Sequence, residues 1–397
     1  MAISFALRKK KWVMFPEVLL QQRYVGVLWG RFFSEPGVFN VVTPEVAAEV
    51  EGFSIIGEIV APLKAGQEVI TAAPHNEQEG VQAAEPMIQG WWSGDQLVVS
   101  HAGEEWELHP YDLVQRVFSR NTGILESELM AKRRSVIIGC GSVGSFVALE
   151  LARAGVGSFV LVDNDIMEYH NVCRHQCSVS DVGDYKVHAV SRRIKAINPL
   201  ADVECHTAIV EQLGPEIWQR YAQPEETIIV GCADNRTADV AGNRIAVLYG
   251  LPFISIGFWE RAFAGEIFYH LPEGNMPCYY CALGDGEGLT SLRSETNRRF
   301  YTTMHNVEEM HFEPGIAVDI DFVTLVGTKL ILDILNRYTT EFTPRLLDHL
   351  QQYTLVCNTN KPQIGGEMAE IFSYPLQVTT SLRVDFGSGC PPCKEQS

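Results

Sequence analysis

The spacing of apolar and polar positions changes along the chain. Up to about residue 110, short apolar runs (YVGVLWG, SIIGEIVAPL, QLVVS) alternate with the turn signals SEPG and SGDQ, which predicts a β-rich or α+β module. APHNEQEGVQAAEP reads as a polar loop, and YDLVQRVFSRNTGIL as a helix leading out of the module. From Ser135 to about Gly257 strand and helix patterns alternate, which predicts a mainly parallel sheet with helices on both faces. This unit opens on SVIIGCGSVGSFVALELARAGVGSFVLVD. SVIIG is a continuous apolar, β-branched run, as in a buried parallel strand. SFVALELARAG reads as a helix with Phe146, Leu149 and Ala152 or Arg153 on one face and Gly155 as its stop. SFVLVD is the next strand and ends in Asp163, while ETIIVGCADN and PFISIGF are later ones. After Cys281 a polar stretch runs to about Pro314, followed by a long helical segment, IAVDIDFVTLVGTKLILDIL. YTLVCNTN and EIFSYPLQVTTSLRVDF alternate as antiparallel strands do, and lead into GSGCPPC. These changes of rhythm divide the chain into 1–110, 111–340 with a loop at 282–314, and 341–397.

Composition narrows the class. With 397 residues, 46% of them hydrophobic, the chain is long enough for two or three domains with a substantial core. The formal charge of -18 disfavours nucleic acid as a partner, because a phosphate backbone needs a basic surface. No apolar run is long enough to span a bilayer, and ALRKKKWVMF has no apolar stretch behind its basic residues, so the expectation is a cytoplasmic protein without a membrane partner.

The candidate chemistry begins with Gly139, Gly141 and Gly144, a G-x-G-x-x-G turn between strand and helix. The first glycine permits the tight turn, the second lets backbone approach a phosphate, and the third lets helix and strand pack closely. Asp163, at the next strand's end, suits ribose hydroxyls. A dinucleotide dehydrogenase would explain this much. It gives no reason for Asn171, Arg174 and His175 in NVCRHQ, for Lys186 closing GDYK, or for Asp234, Asn235 and Arg236 in CADNR. Cations in that number suit a triphosphate, and a strand-end aspartate suits Mg²⁺. Separately, the two C-x-x-C hooks, Cys278 with Cys281 and Cys390 with Cys393, match a closed tetrahedral thiolate site for structural Zn²⁺.

In ordered combination these motifs resemble the ThiF/MoeB/HesA adenylyltransferases, the fold from which ubiquitin-activating (E1-like) enzymes are built. The resemblance runs from about Arg120 to Cys393 and rests on the glycine turn, LVDNDIMEYHNVCRH, GDYK, INP, ADN and the paired C-x-x-C. It implies a Rossmann-like domain that binds ATP through Gly139, Gly141, Gly144, Asp163, Asp165 and Asn235. It also implies catalytic or phosphate contacts by Asn171, Arg174 and Lys186, magnesium at Asp234, and a homodimer in which Arg120 reaches the neighbouring site. His175 stands where the family has glutamine, and Gly231 where an acid is common. The implied reaction is adenylation of the C-terminal carboxylate of a ubiquitin-like protein with a glycine-rich tail, for transfer to a carrier or conjugating enzyme. Adenylation of a sulfur-carrier protein, modification of a peptide, and a non-catalytic half of a heterodimer are the alternatives. Many members pass the acyl group to a cysteine after the first hook. Here the segment holds none and reads LTS, so either the covalent step is absent or Ser291 replaces the thiol, with His305 or His311 as base. Cys357 reads as buried in a strand, while Cys173 and Cys177 flank the Asn–Arg motif.

Overall fold

In the computed structural model the described residues are 10–60, 87–283, 314–372, 379–385 and 387. The chain divides into two compact units, at Arg120/Asn121.

The N-terminal unit carries β1 (Trp12–Pro16), α1 (Glu17–Gln21), β2 (Gly26–Phe33), β3 (Val38–Val42), α2 (Pro44–Glu49), β4 (Ser54–Val60), β5 (Ile88–Ser93), β6 (Gln96–His101), β7 (Glu104–Glu105), β8 (Glu107–Tyr111) and α3 (Leu113–Phe118). Its strands form one sheet ordered β7-β6-β5-β4-β2-β3-β1-β8. The two ends of that sheet meet at Trp106, whose N–H donates to Val99 of β6 while the next N–H, on Glu107, donates to Lys11 beside β1. Closing a sheet on itself removes exposed edges. Alternate residues, Val13 and Phe15, Phe39 and Val41, face the resulting core, where Ile56, Ile59 and Ile88 are also buried; a register shift in the β2–β4 pairing breaks the alternation between Ile56 and Ile59.

The larger unit begins with α4 (Ser127–Met130), then β9 (Arg134–Ile138), α5 (Ser142–Arg153), β10 (Ser158–Val162), α6 (Lys186–Ile197), β11 (Asp202–His206), α7 (Pro215–Arg220), β12 (Thr227–Gly231), α8 (Arg236–Tyr249), β13 (Phe253–Phe258) and β14 (Ala264–His270). It ends with α9 (Tyr279–Leu283), α10 (Ala317–Asn336), β15 (Tyr353–Cys357), α11 (Pro362–Gly365) and β16 (Thr379–Leu382). The sheet order is β11-β10-β9-β12-β13-β14-β15-β16. The first five strands are parallel, and β14, β15 and β16 pair antiparallel. Alternation sorts the core onto two faces. Ile137, Leu161, Val230 and Ile256 pack with α5, α6 and α10, whereas Val136, Ile138, Val162 and Ile229 pack with α7, α8 and α9. Each fully buried side chain of this size contributes about 1.5–3 kcal/mol.

The pattern-based stripe on α5 is too narrow. Val147, Ala148, Leu151 and Ala152 are buried along with Leu149, and Phe146 is only half-buried, because sheet, α6 and α10 enclose this helix on several sides. Gly155 does end it, with φ +94°, and the Val156 N–H returns to Leu151 O. Glu370 and Ile371, read as the start of a strand, belong to a 3₁₀ turn, Glu367–Ile371, and the strand itself is Thr379–Leu382.

Candidate functional site

Leaving β9, the chain turns to β10 and β11 on one side and returns as β12 on the other. Ligands of open α/β sheets sit at such a switch point, beyond the carboxyl ends of the strands. A cavity of about 850 Å³ lies there.

The glycine turn forms its floor. Gly139 has φ +91°, and a Cβ on it would stand 2.7 Å from Ala233 N; a Cβ on Gly144 would stand 1.9 Å from Gly139 O. Both glycines are therefore required by backbone packing. Gly141 differs: it is the N-cap of α5, lines the cavity, and a Cβ there would meet nothing within 4 Å. The space is open where a phosphate would approach the first N–H groups of a twelve-residue helix.

Asp163, 6% exposed, does not simply point outward. Its Oδ2 accepts the Cys140 N–H at 2.7 Å and its Oδ1 the Asp165 N–H at 2.8 Å, so it braces the glycine turn from the end of β10. Burial pushes its carboxyl above the usual range, against the pull of Lys186. Lys186, the first residue of α6, donates Nζ–H to Asp165 Oδ2 at 3.1 Å and its backbone N–H to Asp165 O. Burial pulls this ammonium down, but Asp163, Asp165 and Asp234 together raise it above its ordinary value, so it stays charged. Asn171 Oδ1 accepts the Glu168 N–H at 2.9 Å and locks the turn that presents Arg174, whose N–H donates to Asn171 O.

His175 is buried and its two nitrogens are assigned by their partners. Nδ1 accepts the Cys177 N–H at 3.1 Å, so Nε2 carries the proton and donates it to Cys140 O at 2.7 Å. Burial holds its pKa down at about 4. A neutral imidazole thus offers one donor and one acceptor, as a glutamine amide does.

Of the residues singled out from sequence, Gly139, Gly141, Asp163, Asp165, Asn171, Arg174, Lys186 and Asp234 all line the cavity. Gly144 lies beneath it, and Asn235 caps α8 by accepting the Ala238 N–H at 2.9 Å. Arg120 is the last residue of the N-terminal unit. Ser291, His305, His311, Cys390 and Cys393 lie outside the described residues. Sequence reasoning missed the far wall: Trp259, Arg261, Gly315 and Ile320 also line the cavity. Their signal was only that PFISIGF is a strand ending on the same sheet edge. Among the described residues no three or more His, Cys, Asp or Glu side chains gather as a metal site. Cys278, just before α9, and Cys281, within it, are buried with their sulfurs 3.8 Å apart, and Cys173 is exposed.

Together these features define a doubly wound α/β protein with a glycine turn and the cationic side chains Arg174 and Lys186 at its switch point. The chain belongs to the ThiF family, whose model matches residues 118–363. It is 28% identical over 194 residues to ubiquitin-like modifier-activating enzyme 5 of Drosophila ananassae, a match spanning 46% of this chain and 47% of that protein. It is 33% identical over 157 residues to the sulfur carrier protein ThiS adenylyltransferase of Bacillus subtilis, spanning 39% of this chain and 45% of that one. The chain thus spans about half the length of the curated relatives it matches. The structure of E. coli MccB with ATP aligns at a TM-score of 0.46 and 19% identity, over 67% of this chain and 68% of that one.

Proposed function

We propose that this protein adenylates the C-terminal carboxylate of a ubiquitin-like protein. A carboxylate oxygen attacks the α-phosphorus of ATP, the bond to pyrophosphate breaks, and an acyl-adenylate forms. The observation that carries the reading is the set Asn171, Arg174, Lys186 and Asp234 on one cavity with an open-floored glycine turn. Anion attacks anion here, so positioning and charge neutralisation carry the catalysis.

Sheet order supports one orientation of the reactants. The carboxyl ends of β10, β9, β12 and β13 succeed one another across the cavity, spaced by about 4.8 Å each. Asp163 at β10 marks the ribose side, Gly141 and Lys186 the phosphates, and the wall beyond β13 the acyl tail. Asp234, just after β12, is the carboxylate that would hold Mg²⁺; the bound ion would neutralise phosphate charge.

Zinc belongs to the same proposal. Thiolates about 2.3 Å from one tetrahedral zinc stand about 3.8 Å from each other, and Cys278 and Cys281 have that separation. A Cβ on Gly387 would lie 3.8 Å from Cys281 Sγ. Three residues reach at most about 10 Å, so the proposal needs only a short span of chain from Gly387 to bring the second hook to the first. Four thiolates would fill the metal's shell and give it a structural role. We also propose a homodimer completed by Arg120, acyl transfer to a conjugating enzyme, and Ser291 as the acceptor if a covalent intermediate forms.

Labelled pyrophosphate should exchange into ATP when a glycine-tailed carrier is present. Asp234→Ala should lose that exchange with the fold intact; undiminished exchange in this variant contradicts the magnesium assignment. Sulfur-carrier adenylation is the second reading, favoured by the Bacillus subtilis relative. Which carrier supports exchange separates the two.

A further inference from the structure

The wall beyond β13 holds a backbone anomaly. Arg261 and Ala262 both have left-handed backbones, at φ 52° and 51°. Residues other than glycine rarely adopt this conformation, and two in succession persist only where the surroundings impose it. The surroundings here are specific. The buried Asn358 donates Nδ2–H to Ala262 O at 2.7 Å and to Asp319 O at 3.0 Å, and its N–H donates to Phe263 O at 2.8 Å. The Trp259 indole N–H donates to the buried Glu266 Oε2 at 2.9 Å, where the Tyr353 hydroxyl also donates. The side chains of Glu266 from β14, Tyr353 from β15 and Asn358 just after β15 therefore tie down one short turn, through Trp259 at its start and Ala262 within it, in a costly shape.

That shape puts an arginine on the cavity. Glycine would take the backbone without strain. The guanidinium has one ion pair among the described residues, a long one of 3.8 Å to Glu260, and both side chains are nearly half-exposed. Its neighbours on the wall, Trp259, Ile320 and Gly315, carry no charge. The phosphate cations Arg174 and Lys186 come instead from the segment after β10. The two groups of cations are thus supplied from opposite ends of the row of strands.

We propose that Arg261 binds the terminal carboxylate of the acyl substrate, holding that anion beside the α-phosphate before attack. This rests on the adenylation reading and adds a recognition element to it: the site should select a free carboxylate over its amide. A guanidinium fork fits a carboxylate through two parallel N–H bonds.

The test uses the full chain saturated with α,β-methylene-ATP. Binding is measured for a short peptide ending in two glycines, as the free acid and as the C-terminal amide. Wild type should bind the acid at least about tenfold more tightly than the amide. Arg261→Asn keeps a residue that tolerates left-handed backbone, and it should abolish that preference; Arg261→Lys should keep part of it. Nucleotide affinity should stay within about twofold throughout. The proposal is overturned if Arg261→Asn still prefers the acid, or if nucleotide-loaded wild type prefers neither peptide. Failure of wild type to bind the nucleotide at all would instead remove the adenylation reading beneath it.

Discussion

His175 stands where the family resemblance implies a glutamine, and it makes one donor and one acceptor hydrogen bond there. Its imidazole joins the glycine turn to the Cys177 amide, and it can do so only when neutral. Its pKa falls from about 6.5 when unfolded to about 4 when folded. Between these values the unfolded state binds more protons, so stability rises with pH through the window and is lost as pH falls through it. The cost at full protonation is about 3 kcal/mol. Asp163 contributes with the opposite sign, since burial raises its carboxyl; Asp181, held down at about 2 chiefly by Ser178, Arg193 and Arg192 against its burial, titrates below the window. The difference between two proteins isolates the histidine. His175→Gln should remove this histidine's share of the slope from urea-derived stabilities measured between pH 4 and 7, leaving that of the buried His270, and an unchanged slope would refute the neutral, buried imidazole. The sequence revealed that this position departs from the family, but not how it compensates, because a tautomer is set by two backbone groups that only the fold brings together.

At the scale of elements, the three glycines of one motif have different jobs. Gly144→Ala drives a Cβ into Gly139 O, backbone that cannot give way, so α5 must shift. Gly141→Ala meets only open space and keeps an ordinary backbone, with φ -74°. Gly141→Ala should therefore melt within a few degrees of wild type yet lose most of its ATP affinity. Gly144→Ala should lose about 2 kcal/mol or more of stability as well. Thermal melts with and without ATP decide this; equal destabilisation of both variants would contradict the open cradle. The motif's strand, turn and helix were legible because its apolar runs and glycines are local signals. The breadth of α5's buried face was not, because enclosure by α10 depends on residues far away in sequence.

For the whole molecule, the parallel sheet could be read from alternating patterns, whereas closure of the N-terminal sheet at Trp106 could not. Pairing β1 with both β3 and β8 is a long-range event that no local pattern encodes. The same limit applies to the far wall of the cavity, assembled from β13, the turn after it and α10. Gly387 lies next to Cys281. If zinc joins the two hooks, purified protein should hold about one zinc per chain. A strong chelator should then expose the C-terminal residues to protease before nucleotide binding weakens. A metal-free chain with that segment still protected would refute the zinc site.

In this mechanism the substrate's own carboxylate attacks the α-phosphorus. Heavy oxygen placed in the terminal carboxylate of a glycine-tailed carrier follows that bond when ATP is supplied and the acyl group is released with hydroxylamine. Hydroxylamine attacks the carbonyl carbon, so the carboxylate oxygen bonded to phosphorus leaves with AMP. AMP should carry the label. Unlabelled AMP, or ADP as the product, would contradict it.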